Sequence, residues 1–199
     1  MTKSISDLGV YIPTCDEMLF CLKPFCYLFN QYWPVKTTIN VLGYANPNFT
    51  LPDNVKFYSL GEDKGAEHWS NDMLDFFSNH FEHEYFMLAP EDGFIIKKVD
   101  KDLLELALNY SSYIQKNSQQ KFLRFGLTNC VSSRPHAVVQ KLENSNIIVS
   151  NYGTDYRHSL QHSIWNRENF VKMLKPDMTP WQIELDDDAR HDGMIVAAF

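Results

Sequence analysis

Residues Glu84–Ile95 read EYFMLAPEDGFI. Tyr85–Ala89 is a short continuous apolar run, the signature of a buried strand. Pro90 stops it, because proline has no N–H to give to a sheet ladder. Two carboxylates, Glu91 and Asp92, then stand side by side before Gly93. Paired acids at the end of a buried strand are costly unless water or a cation neutralises them.

Working outward from this strand, the chain alternates strand and helix. Leu8–Pro13 reads as a first strand, followed by Thr14 and Glu17 at capping-box spacing. Leu19, Leu22, Phe25, Leu28 and Phe29 then recur at helical spacing, and Pro24 either kinks that helix or begins a second piece. Thr37–Gly43 and Val55–Leu60 read as strands, separated by a Pro- and Asn-rich loop. Trp69, Met73, Phe76, Phe77 and His80 mark one helix face before Tyr85–Ala89.

Downstream, Asp100 caps a helix reaching about Gln115, with Leu103, Leu106, Ala107, Tyr110 and Ile114 inward. Lys121–Leu127, Ala137–Leu142 and Asn146–Tyr152 read as strands, the last two forming a hairpin around ENS. Ser159–Trp165 is a further predicted strand. Asn166 caps a short helix with Phe170, Val171 and Leu174. Thr179, Pro180 and Gln182 start another helix with cap, first-turn proline and capping box. Met194–Phe199 is a terminal strand or tail.

Strand–helix alternation followed by hairpin material predicts an α/β fold with a mixed, mostly parallel sheet flanked by helices. A chain of 199 residues fits one domain. In open α/β sheets ligands bind beyond the carboxyl ends of the strands. The loops Thr14–Asp16, Gly61–Asp63 and Glu91–Asp92 all follow predicted strands, so parallel neighbours would bring them to one edge.

Composition narrows the partners. The net charge is −7, from 18 basic and 25 acidic residues. Clustered Lys and Arg are missing, which argues against general nucleic-acid binding. The cysteines, Cys15, Cys21, Cys26 and Cys130, form no C-x-x-C pair and predict reduced thiols in a cytoplasmic protein. No apolar run approaches the ~20 residues of a spanning helix.

Mg²⁺ and Mn²⁺ favour one or two carboxylates together with substrate phosphates. Glu91–Asp92 therefore reads either as half of a metal–diphosphate site or as a polar turn before Gly93. Neither G-x-x-x-x-G-K-[ST] nor G-x-G-x-x-G occurs, so a nucleotide would be held by carboxylates and a cation rather than by a glycine loop.

YIPTCDE, YSLGEDKGAEHWSNDML, YFMLAPEDGFI and YRHSLQHSIWNRENFVKMLKPDMTPWQIEL occur in that order. Together they resemble small nucleotide-sugar-dependent glycosyltransferases of the GT-A fold, over roughly Leu8 to Leu185. The resemblance implies that Thr14 and Asp16 face the nucleotide base and ribose. It places Asp63 on the base or sugar side of the donor. Asp92 would ligate Mn²⁺ or Mg²⁺, and Glu91 would contact ribose or metal-bound water. Glu184 stands where inverting members carry a general base. Two departures are Gly93, where an aromatic often follows the acids, and the lack of D-x-D spacing.

The implied reaction moves a hexosyl group from a nucleotide sugar, a UDP-sugar in the first instance, to an unnamed acceptor. Inversion is the expected course, with retention still open. Asp186 or Asp187 are alternative bases. Trp181, three residues before Glu184, would pack on the sugar, or it is a core residue that anchors its helix. His158 or His191 would complete the metal site, or each is an ordinary core or surface histidine. Two other readings stay open: a nucleotidyltransferase, which usually brings a Gly-rich loop and a basic residue that IPTCDEM lacks, and a non-catalytic nucleotide-sugar-binding module of the same fold.

Overall fold

Four parallel strands build the first half of the protein: Leu8–Pro13 (β1), Ile39–Gly43 (β2), Val55–Ser59 (β3) and Tyr85–Leu88 (β4). A computed structural model supplies these coordinates and describes residues 2–80 and 82–199. Five further strands follow: Phe122–Gly126 (β5), His136–Lys141 (β6), Asn146–Ser150 (β7), Ser163–Asn166 (β8) and Ile195–Ala198 (β9). They extend the same sheet in the order β3-β2-β1-β4-β8-β5-β9-β7-β6. β5 and β9 are parallel, β8 runs antiparallel between β4 and β5, and the β6–β7 hairpin closes the far end. The sheet is therefore mixed, as the two halves of the sequence imply.

Helices cover both faces because the strands are apolar on both. Leu8, Val10, Ile12, Tyr85 and Met87 point to one face, where they meet α1 (Leu22–Tyr32) and α3 (Lys101–Asn117). Tyr11, Phe86 and Leu88 point to the other and meet α2 (Trp69–Asn79), α4 (Arg167–Met173) and α5 (Pro180–Leu185). Alternate residues of one strand thus feed separate cores. Among the described residues no helix is long and apolar enough to cross a membrane.

Several local expectations change. Residues 16–21 form a 3₁₀ turn, and α1 is a separate helical piece with Pro24 in its first turn, the second of the two expectations for that proline. There its missing N–H has no partner to lose, so no kink arises. Thr14 does not cap, because Cys15 takes the N-cap position of that turn and Thr14 Oγ1 donates instead to Glu91 Oε1. β2 and β3 are parallel yet joined by an irregular loop, residues 44–54, so the strand–helix alternation skips a helix there. The buried face of α3 centres on Leu104, Ala107, Leu108, Ser111 and Ser112. Small residues there let the helix approach the sheet, and Leu103 is pushed to the flank. β8 begins at Ser163, four residues later than expected. The tail is a strand, β9, seated between β5 and β7.

The other three caps hold as read. Asp100 Oδ1 accepts from Asp102 N and Leu103 N, Asn166 Oδ1 accepts from Asn169 N, and Thr179 and Gln182 complete their box.

Candidate functional site at the carboxyl edge of the sheet

The carboxyl ends of β1 to β4 lie side by side, and short bonds tie their loops together. Beyond β1, Thr14 is buried and its Oγ1 donates to Glu91 Oε1 at 3.4 Å, linking the loops after β1 and β4. Asp16 Oδ1 accepts from Ala45 N at 2.8 Å, linking the loops after β1 and β2. Ser59 Oγ donates to Tyr44 O at 2.8 Å, linking those after β2 and β3. Asp63 Oδ1 accepts from Gly65 N at 2.9 Å inside a turn whose Gly61 and Gly65 hold φ of 97° and 91°. Only glycine takes such angles without strain.

Tyr44 is buried where these loops meet, and its hydroxyl donates to Asp72 Oδ2 at 2.7 Å. Burial, then the bond to Asp72, raise its pKa, with Asp63 and Cys15 adding to the effect. Tyr44 and Asp72 are site-edge residues that the sequence reading missed. YANP reads as a loop, and nothing in that tetrapeptide marks its tyrosine as buried.

Glu91 and Asp92 differ in surroundings. Glu91 is half-buried; burial pushes its pKa above the usual carboxylate range, and the charge of Asp92 adds to that. Thr14 and its own backbone N–H oppose the shift. Asp92 is exposed. Gly93 N donates to Pro90 O at 3.0 Å, which closes the turn.

His162 explains Gly93. β8 enters the sheet with Ser163 opposite Leu88, so the preceding His162 sits at the end of β4. A Cβ on Gly93 would collide with Cε1 of its ring. An imidazole, supplied from another strand, packs where an aromatic after the acids would crowd. Burial lowers the pKa of His162, against the Gly93 backbone and Asp92, and its Nε2 is buried without a hydrogen-bond partner among the described residues.

Glu184 is held by the segment leading into His162. Its Oε1 accepts from Leu160 N at 2.7 Å and from Ser159 Oγ at 3.0 Å. This anchoring turns Ser159–Gln161 out of the sheet, which is why β8 starts late. Trp181 is 65 % exposed, while Ile183 is the buried contact of α5, so the indole does not anchor the helix.

Two buried arginines shape the same segment. Arg124 donates from Nε to Arg157 O at 2.7 Å and from Nη1 to Ser163 Oγ at 2.7 Å. Burial lowers its pKa to about 10, which leaves it charged near neutrality. Arg157 donates to Ser150 O at 3.1 Å and to Asp192 Oδ1 at 3.0 Å. His158 Nε2 meets the other oxygen of Asp192 at 2.8 Å. His158 is therefore committed to Asp192, and His191 is exposed beside Gly153.

Of the residues singled out by sequence, Thr14, Asp16, Asp63, Glu91 and Asp92 gather on one edge. Glu184 is tied to the Ser159–Leu160 segment that leads into His162, and Trp181 is exposed on the same short helix. His158 and His191 belong to the Asp192 side. Among the described residues no three His, Cys, Asp or Glu side chains form a metal-holding group. A carboxylate pair that shares a cation with phosphates needs no such group. No protein-family model matches the chain, and no curated protein matches it.

Proposed function

We propose that the protein is a GT-A-like glycosyltransferase that takes a hexosyl group from a nucleotide sugar, with UDP-sugars as the first donors to test. The observation that carries this reading is the Thr14–Glu91 bond, which joins the first and third motifs of the resemblance across two strands. The bond from Asp16 to Ala45 adds a third loop to the same edge.

The acid pair fits a divalent cation. Glu91 is driven toward its neutral form by burial, and a cation would reverse that cost. Asp92 and Glu91 would hold Mn²⁺ or Mg²⁺ with the two donor phosphates. Bound there, the cation supplies neutralising charge to the departing nucleoside diphosphate. Thr14 and Asp16 orient the nucleoside, and Asp63 bounds the donor side. Glu184 takes the acceptor proton at Oε2, since Oε1 already accepts two hydrogen bonds.

Calorimetry with UDP and a panel of UDP-sugars, with and without Mn²⁺, tests this. Tighter binding with the cation is expected, with most of that gain lost in Asp92→Ala and overall affinity lowered in Asp16→Ala and Asp63→Ala. Equal affinity in chelator removes the cation from the proposal, and no binding by any nucleotide removes the proposal itself. The same bonds to Glu184 Oε1 favour one second reading, a binding module in which Glu184 only fastens the Ser159–Leu160 segment. Release of sugar from a bound donor to water separates the two.

A further inference from the structure

The opposite edge of the sheet, where the first four strands begin, holds a cleft of about 310 Å³. None of the residues assigned to the carboxyl edge lines it. Lys36 and Asn40 reach it from the start of β2, Lys56 from β3, and Glu82 and His83 from the segment just before β4. Gly9 of β1 forms part of the wall. A Cβ at Gly9 would lie 2.7 Å from Cγ of His83 and 2.7 Å from Cε2 of Tyr11. Glycine therefore lets the imidazole lie against the strand, where its Nδ1 meets the Tyr11 hydroxyl at 3.0 Å.

Asn40 is the polar residue of an otherwise apolar strand, INVLG, and is only 3 % exposed. A buried amide is costly unless its hydrogen bonds are made. Its Nδ2 donates to Val10 O at 3.0 Å, while its Oδ1 accepts no hydrogen bond among the described residues. Lys36 and Lys56 form no ion pair among the described residues, and His83 Nε2 makes no hydrogen bond among them. Burial lowers the pKa of His83; the charge of Glu82 opposes that and the charge of Lys56 adds to it, so both charges act on the ring. Glu82 is the one carboxylate of the lining. Its neighbours in sequence to the lining are engaged elsewhere: Asp7 accepts from Ser4 N at 2.8 Å, and Glu84 pairs with Lys3 at 2.9 Å.

We infer that this cleft binds a small hydroxylated phosphomonoester, the chemical class of the sugar phosphates. Two ammonium groups repel a metal cation, and an apolar ligand would strand them together with the Asn40 amide. A phosphomonoester carries a charge of about −1.5 to −2 and three strong acceptor oxygens. Lys36 Nζ, Lys56 Nζ and His83 Nε2 supply three donors for them. A carboxylate, with two oxygens, would leave one donor over. Burial keeps the Tyr11 phenol protonated, and when it donates to Nδ1 the imidazole proton stands on Nε2. Asn40 Oδ1 and Glu82 accept from hydroxyls on the carbon body of the ligand. The volume is at the small end of ligand cavities, which suits one phosphorylated sugar. The inference is independent of the reading given to the carboxyl edge.

The test is calorimetry of the full chain with glucose 6-phosphate, ribose 5-phosphate, inorganic phosphate and glucose, all in chelator, which removes any cation that could hold phosphate at the carboxyl edge. At least one sugar phosphate is expected to bind, inorganic phosphate more weakly, and glucose not at all. Lys36→Ala and Lys56→Ala should each weaken the sugar phosphate about tenfold, the loss of one charge-assisted hydrogen bond. Lys97→Ala, which alters a lysine outside the cleft, should bind like the parent. All three lysines are exposed, so unchanged melting temperatures are expected alongside. The inference falls if no phosphate binds, or if either Lys36→Ala or Lys56→Ala binds like the parent. It also falls if Lys97→Ala weakens binding as much, the mark of diffuse charge attraction. Inorganic phosphate binding as tightly as the esters overturns the assignment of a hydroxylated ligand.

Discussion

Gly93 lies so close to the imidazole of His162 that a Cβ at position 93 would overlap the ring. The acid pair and the start of β8 are therefore one packed unit. Gly93→Ala is expected to cost about 1–3 kcal/mol, the usual range for forcing extra atoms into a packed site. His162→Ala in the same chain vacates the ring and should return much of that loss. Urea unfolding of both single variants and the double variant measures the coupling. Strictly additive losses would show that the two residues do not press on one another.

Glu91 yields a pH prediction. Burial raises its pKa in the folded protein, so ionising it costs more when folded than when unfolded. Its ionisation therefore weighs on stability as pH rises through the folded pKa, and not below the unfolded value of about 4.3. Glu91→Gln should raise the melting temperature at neutral pH, because the variant has no charge to bury. The gain should vanish in acid. A melting temperature unchanged or lowered at pH 7 contradicts the assignment.

Asp192 works in the opposite sense. Burial would raise its pKa, but bonds from His158 and Met194 N, with the charge of Arg157, hold it below the usual carboxylate range. That stabilisation is present above the unfolded pKa, about 3.9, and is lost as pH falls through the lower folded value. Asp192→Asn removes the carboxylate charge that faces Arg157 Nη2 and His158 Nε2 and should cost about 1–3 kcal/mol at neutral pH. Chemical denaturation at pH 7 checks the figure, and a loss below ~1 kcal/mol would mean that the pair is not buried as described.

Glu184→Gln separates fastening from catalysis. The glutamine oxygen still accepts from Leu160 N and Ser159 Oγ, so melting temperature and UDP affinity should stay near those of the parent. If Oε2 is the base, transfer or donor hydrolysis falls by about 10²–10⁴. Turnover and affinity measured on the same preparation decide it, and undiminished turnover moves the role to Asp186, Asp187 or no side chain.

Much of the fold was legible because its signals are local. β4 shows as an unbroken apolar run, and Asp100, Asn166 and Thr179 announce their helices by hydrogen bonds that span two or three residues. The edge loops were legible for a related reason: each follows a strand whose direction the topology constrains. What stayed hidden depends on residues far apart in sequence. Tyr44 is buried by Asp72, 28 positions on, and His158 is claimed by Asp192, 34 positions on. The late start of β8 follows from Glu184 and Arg124, which no window around Ser159 contains.

Among the described residues, β9 is the sole ladder between the β6–β7 hairpin and the rest of the sheet. It also follows every other strand in the chain. The hairpin can form early, since its strands are close in sequence, but it has no neighbour to dock on until Ile195–Ala198 arrives beside Phe122–Gly126. Closing so long a loop is slow relative to local pairing. Until then β5 presents an open edge, so the order of synthesis leaves this half of the sheet as the last to become safe from pairing with another chain.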